Sequence, residues 1–157
     1  MRSYSRLWTH VIFSTKYREP TLLKDYDWKI HQHIHQQLAI QECIPIVVNG
    51  VEDHVHLLYC SNYKKAPADI IRDVKGETSY WANRQGFLQY KLCWQDGFAN
   101  FSVGHADLDR VTHYILNQKA HHLKQKLDKE LMDLANNENE KIEKLTSIVN
   151  NKLYLCL

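Results

Sequence analysis

At 157 residues, 44% hydrophobic and 24% charged, the chain has the make-up of one globular domain with a real core. No apolar run nears the ~20 residues that span a bilayer, and MRSYSRLWTH lacks the apolar stretch and small-residue cleavage site of a signal peptide. A cytoplasmic protein with no membrane partner is expected. The four cysteines, Cys43, Cys60, Cys93 and Cys156, form no CxxC, which argues against a zinc knuckle or a disulfide framework. The net charge of +2 is uneven: residues 128–157 hold four basic and six acidic side chains, so residues 1–127 carry +4 and the tail −2. That balance permits a nucleic-acid partner without demanding one. Ten histidines are the stronger oddity.

In chain order, LWTHVIFST (7–15) alternates and is rich in β-branched residues, predicting a first strand that Pro20 follows as a breaker. Residues 22–43 predict a helix with Leu23, Trp28, Ile30, Ile34, Leu38 and Ile40 on its apolar stripe. IPIVVNG (44–50) reads as a strand ending in an Asn-Gly hairpin turn, with DHVHLLYC (53–60) as its return. A second helix is predicted over 67–84, with Pro67 in its first turn and Ile70, Ile71, Val74 and Tyr80 facing inward. FSV (101–103) is the last strand, and a third helix runs from near Asp107 to about Leu127. The order β-α-β-β-α-β predicts an α+β fold, a ferredoxin-like split βαβ sandwich. Its antiparallel sheet carries helices on one face, with the DHVHLL strand central. Residues 1–127 form the domain and 128–157 a helical tail.

Within DHVHLL, His54 and His56 are one residue apart, so a strand projects both imidazoles to the same face, roughly 7 Å apart. Two such histidines are either metal ligands or hydrogen-bonded residues of a half-exposed sheet face. In DRVTHYILNQKAHH, Tyr114 and Gln118 stand four residues apart on one helical flank, beside an apolar stripe of Leu108, Val111 and Ile115. They are boundary residues or, if that flank meets the histidines, a carbonyl ligand and a phenol nucleophile. Such a set suits phosphoryl transfer from a DNA backbone through a covalent 5′-phosphotyrosine. That route conserves the phosphodiester's energy, and the chain has no GxxxxGK[ST] loop for a nucleotide cofactor.

From about Leu7 to Leu127 the sequence resembles the single-tyrosine HUH transposases, the small enzymes of bacterial insertion sequences and their REP-associated relatives. The segments that carry the resemblance are THVIFSTKYREP, NGVEDHVHLL, ADIIRDVKGETSYW, WQDGFANFSVG and DRVTHYILNQKAHH, in the family's order and spacing. The resemblance implies that His54 and His56 are metal ligands, Gln118 the third ligand and Tyr114 the nucleophile. It implies Mg²⁺ or Mn²⁺ as the ion, single-stranded DNA with hairpin ends as substrate, and a homodimer. The activity implied is cleavage and rejoining of DNA at insertion-sequence ends. The tail beyond Leu127 matches the family less clearly.

Lys16, Arg18, Arg72 and Lys75 are candidates for phosphate contact, against the alternative of solvated surface charge. Trp94, Phe98 and Phe101 are candidates for stacking on unpaired bases, with core packing the stronger reading for Phe101. His10, alternating with Trp8 and Ile12, is expected to pack near the His54–His56 face rather than to ligate. His31 and His35 form a rival pair on a helix, and His121 and His122 follow the tyrosine. Two other functions compete with a transposase. One is a non-catalytic ferredoxin-like nucleic-acid-binding module, which ordinarily displays aromatics rather than histidines on its central strand. The other is a metal-dependent phosphodiester hydrolase, in which water attacks.

Overall fold

In the computed structural model, residues 4–122 and 127–154 are described, with side chains for 4–120, 129 and 131–144. The chain divides into two compact units, residues 1–120 and 121–157. The second contains one long helix, Leu127–Tyr154, where the sequence suggested one or two. The last three residues of the apolar LYLCL terminus lie outside the described residues, as do the side chains of His121 and His122. No described helix is long and apolar enough to cross a membrane.

The first unit is built on a four-stranded antiparallel sheet in the order β2-β3-β1-β4. Its strands are β1 (Trp8–Ser14), β2 (Ile44–Val51), β3 (His54–Cys60) and β4 (Ala99–Ser102). This is the split βαβ arrangement expected, and β3 is central, paired with β2 on one side and β1 on the other. Every residue of β3 is buried, which is why its histidines stand inside an apolar run.

The helices α1 (Asp27–Ile40) and α2 (Pro67–Arg84) cover one face. There Val11 and Phe13 of β1 and Val55, Leu57 and Tyr59 of β3 join Ile30, Ile34, Leu38, Ile70, Ile71 and Val74 in one buried cluster. Trp28 and Ile40, expected in the stripe of α1, are exposed. The buried row advances by four residues, from Ile30 to Ile34 to Leu38. Trp28 and Ile40 each stand two residues beyond an end of that row, about 200° around the helix. For the same reason Tyr80 is exposed, while Thr78 and Ala82, at four-residue steps from Val74, take the buried positions.

The other sheet face is covered by α3 (Leu108–Leu116), so helices occupy both faces rather than one. Ile115 packs with Val47 and Leu58, and Val103, Leu108, Val111 and Tyr114 surround that smaller cluster. The expected continuous third helix is broken at Asn117, and α4 restarts at Gln118–His122. The break has an identifiable cause. The Asn49 side-chain amide donates to the carbonyls of Ile115 at 2.8 Å and Leu116 at 3.1 Å, satisfying groups that end a helix.

Asn49 is therefore not a turn residue. The strand runs on through Asn49 and Gly50 to Val51, and the hairpin turns at Glu52-Asp53. Gly50 serves close backbone approach: a Cβ there would lie 2.2 Å from the His54 carbonyl oxygen. The shift of the turn places Asp53 immediately before the first histidine of β3.

Candidate active site

The face beneath α3 presents the side chains that alternate with the core residues of β1 and β3. His54 and His56 are both fully buried, with ring centroids 5.1 Å apart. Their Nε2 atoms are buried as well. The Tyr114 ring lies edge-on to His56, with centroids 6.1 Å apart. It is also edge-on to His10, again at 6.1 Å. The fold thus brings the candidate nucleophile, 58 residues downstream of His56, against that member of the candidate ligand pair. Gln118, the first residue of α4, is also buried. The break at Asn117 means that Tyr114 and Gln118 do not share one helix.

Each histidine is held through its Nδ1. The Asp53 carboxylate lies 2.6 Å from Nδ1 of His54. Arg18 in turn donates to Asp53 through Nε at 3.0 Å and pairs through its terminal nitrogen at 2.9 Å. Burial alone would raise the Asp53 carboxyl, but the hydrogen bond and charge of His54, then those of Arg18, hold it down at about 2. On the second histidine, Nδ1 of His56 lies 3.0 Å from Nε2 of His10, and the two rings stack at 5.2 Å. His10 is itself buried, and burial lowers its pKa to about 4, so it is neutral at neutral pH.

The turn after β1 aims Arg18 at Asp53. Tyr17 and Arg18 both take left-handed backbone angles, φ 57° and 58°. That conformation costs a non-glycine residue about 1–3 kcal/mol and persists only where surroundings over-determine it. Here Thr15 donates from its amide to the Asp53 carbonyl at 2.9 Å and Lys16 to the Cys93 carbonyl at 2.8 Å. The Thr15 hydroxyl closes the turn on the Glu19 carbonyl at 2.6 Å.

The charged candidates separate by environment. Lys16 is exposed at the turn, beside the exposed Tyr17. Arg72 is exposed and paired with Asp69 at 2.7 Å and Asp73 at 3.1 Å. Lys75 is buried, and its ammonium donates to the carbonyls of Gln95, Asp96 and Gly97, clamping that loop. Trp94 is half-buried and meets Phe13 edge-on at 4.9 Å. Arg72, Lys75, Trp94 and Phe98 line a cavity of about 430 Å³ beside α2. Phe101, on β4, lies against His10 at 6.4 Å. The charge of a lysine or arginine is visible in sequence, but its partner is not. Thus Lys75 and Arg18 looked the same there as Lys16.

The rival pair on α1 is split: His31 is buried, His35 exposed, and His33 stacks on Trp81 at 4.1 Å. Among the described residues no three His, Cys, Asp or Glu side chains cluster to hold a metal. Among the described residues, then, a third protein ligand for a metal on His54 and His56 would be of another residue type, as a glutamine carbonyl provides. Sequence reasoning missed Asp53 as the partner of His54, although its position beside the histidine was a usable signal.

The chain has no match among curated proteins. Several solved structures share its fold, and two of them illustrate the likeness. A protein of Deinococcus radiodurans R1 assigned as a transposase aligns with a TM-score of 0.57 at 20% identity, over 75% of this chain and 95% of that one. A REP-associated tyrosine transposase bound to a REP hairpin also aligns at 0.57, with 14% identity over 78% of this chain and 72% of that one. The family model for IS200-like transposases matches residues 3–118, a span that takes in the sheet, the histidine pair, Tyr114 and Gln118, and the chain belongs to that family.

Proposed function

We propose that this transposase cuts and rejoins single-stranded DNA through a covalent bond to Tyr114. The observation that carries this reading is the Tyr114 ring lying against His56 and His10 on the sheet face that holds both HUH-type histidines. The Tyr114 oxygen attacks the scissile phosphorus, and the bond from phosphorus to the 3′-oxygen breaks. The products are a 5′-phosphotyrosine and a free 3′-hydroxyl. The phenol proton leaves to solvent, and the departing 3′-oxygen takes one up. Attack by a 3′-hydroxyl on the phosphotyrosine reverses the step and releases Tyr114, without a nucleotide cofactor.

The donor set fits a divalent ion. His54, engaged at Nδ1 by the Asp53 carboxylate, offers Nε2, and the same atom of His56 is the one turned from its Nδ1 partner. His54, His56 and the Gln118 carbonyl oxygen would hold Mg²⁺ or Mn²⁺, which suit mixed imidazole and oxygen ligands. When bound, such an ion offsets charge on the scissile phosphate. The protein's own part is to orient that phosphate, to fix the two histidines through their Nδ1 contacts and to hold the phenol beside them.

The substrate under this proposal is DNA with hairpin ends, handled by a homodimer. Lys16 is the phosphate contact nearest the Arg18–Asp53 turn. Arg72 and Trp94 contact DNA at the cleft beside α2. Arg18 and Lys75 act on DNA through the groups they clamp. The test is covalent trapping with labelled single-stranded DNA from the element's ends and Mg²⁺ or Mn²⁺, resolved on a denaturing gel. Wild type should give a metal-dependent protein–DNA band, absent in Tyr114→Phe. Free cleaved DNA from both proteins would point to a hydrolase, and binding without cleavage to a recognition module.

A further inference from the structure

The two candidate ligands are backed by different chemistry. Behind His54 stands a carboxylate, which can only accept a hydrogen bond, so His54 must carry its proton on Nδ1. Behind His56 stands another imidazole, which can donate or accept, and the 3.0 Å contact between Nδ1 of His56 and Nε2 of His10 admits two proton arrangements. If His10 donates, the neutral His56 ring carries its proton on Nε2 and has no lone pair there for a metal. If His56 donates, its Nε2 lone pair is open, and His10 carries its own proton on Nδ1. Only the second arrangement makes the two histidines alike.

We propose that His10 is a positioning residue that accepts the Nδ1 proton of His56 and so holds the Nε2 lone pair of His56 ready for a metal. This rests on the metal reading given above. Strand pairing fixes the contact: Ile12 is the register partner of His56, and His10, two residues along, points to the same face. The pair is closed in by the rings of Phe101 and Tyr114, each in contact with His10. His10 is also on a central strand, which gives it a fixed place relative to β3. An acceptor on a rigid strand orients the ligand ring in the way a carboxylate does elsewhere.

The assignment can be read without metal or DNA. Long-range ¹H–¹⁵N spectra of the metal-free protein report which ring nitrogen of His56 is protonated. Wild type should show Nδ1–H. His10→Leu, which removes the acceptor, should shift His56 toward Nε2–H. His10→Gln, which returns an acceptor oxygen near the same place, should restore Nδ1–H. With Mn²⁺ alone as probe, His10→Leu should raise the dissociation constant by about 10–100-fold and His10→Gln by much less. Nε2–H on His56 in wild type would overturn the assignment, as would a His56 tautomer unmoved by His10→Leu. Nδ1–H on His56 in a wild-type protein that binds no Mn²⁺ would overturn the metal reading and leave the assignment of His10 standing.

Discussion

The strands β1 and β3 present different side chains to their two faces. Toward α1 and α2 they turn Val11, Phe13, Val55, Leu57 and Tyr59, in a cluster that draws on both helices. Toward α3 the alternate positions are His10, Ile12, His54, His56 and Leu58, and only Ile115 of α3 is fully buried against that side. Burial of aliphatic surface stabilises the first face at about 25 cal/mol per Å². The second face buries three imidazoles, and its order comes from directed contacts: Asp53 on His54, His10 on His56, Asn49 on the end of α3. Stability and the proposed chemistry are thus divided between the faces of one sheet. The helix that carries Tyr114 belongs to the less extensively packed side.

That contrast can be broken at the core. Leu57→Ala should lower global stability by about 2–5 kcal/mol in denaturant unfolding, because it opens a cavity in the large cluster. A loss below 1 kcal/mol would mean that the α1/α2 face is not the main source of stability. Asn49→Ala should act more locally. It removes two hydrogen bonds to the carbonyls of Ile115 and Leu116, about 1–3 kcal/mol in all. Hydrogen exchange should quicken in α3 and leave α2 unchanged; equal quickening of both would sink the idea of a separately anchored helix.

The smallest effect concerns pH. His31 is buried on α1, and burial lowers its pKa to about 4, with Asp27 raising it and Lys119 lowering it in smaller measure. Its folded pKa lies below the ordinary histidine value of 6.5, so the unfolded chain binds the proton more readily between those values. Stability should therefore fall as pH drops from about 6.5 toward 4, and His31→Gln should flatten that slope in thermal melts. An unchanged slope in the variant would assign the effect to other buried histidines.

The division of faces was legible in the sequence where a local period carries it. Alternation placed His54 and His56 together and Val55 and Leu57 opposite them, and Pro67 marked the start of α2. What was hidden depends on distant partners. Asn49-Gly50 has the chemistry of a turn, yet Asn49 ends α3 from 66 residues away and Gly50 serves backbone approach. The break at Asn117 follows from that contact, so no helical period over 107–127 reveals it. The placement of His10 near the histidine face could be read from alternation, but its contact with Nδ1 of His56 needed the β1–β3 register. Arg18 reads as a surface cation until its left-handed turn directs it to Asp53.

The proposed function requires that α3 deliver Tyr114, and no other of the chain's tyrosines, to the histidine face as the attacking group. Trypsin digestion of the trapped protein–DNA species, followed by mass spectrometry, tests this directly. The predicted result is a nucleotide adduct on the peptide VTHYILNQK, residues 111–119, localised to Tyr114. An adduct on another residue, such as the exposed Tyr17, would contradict the account.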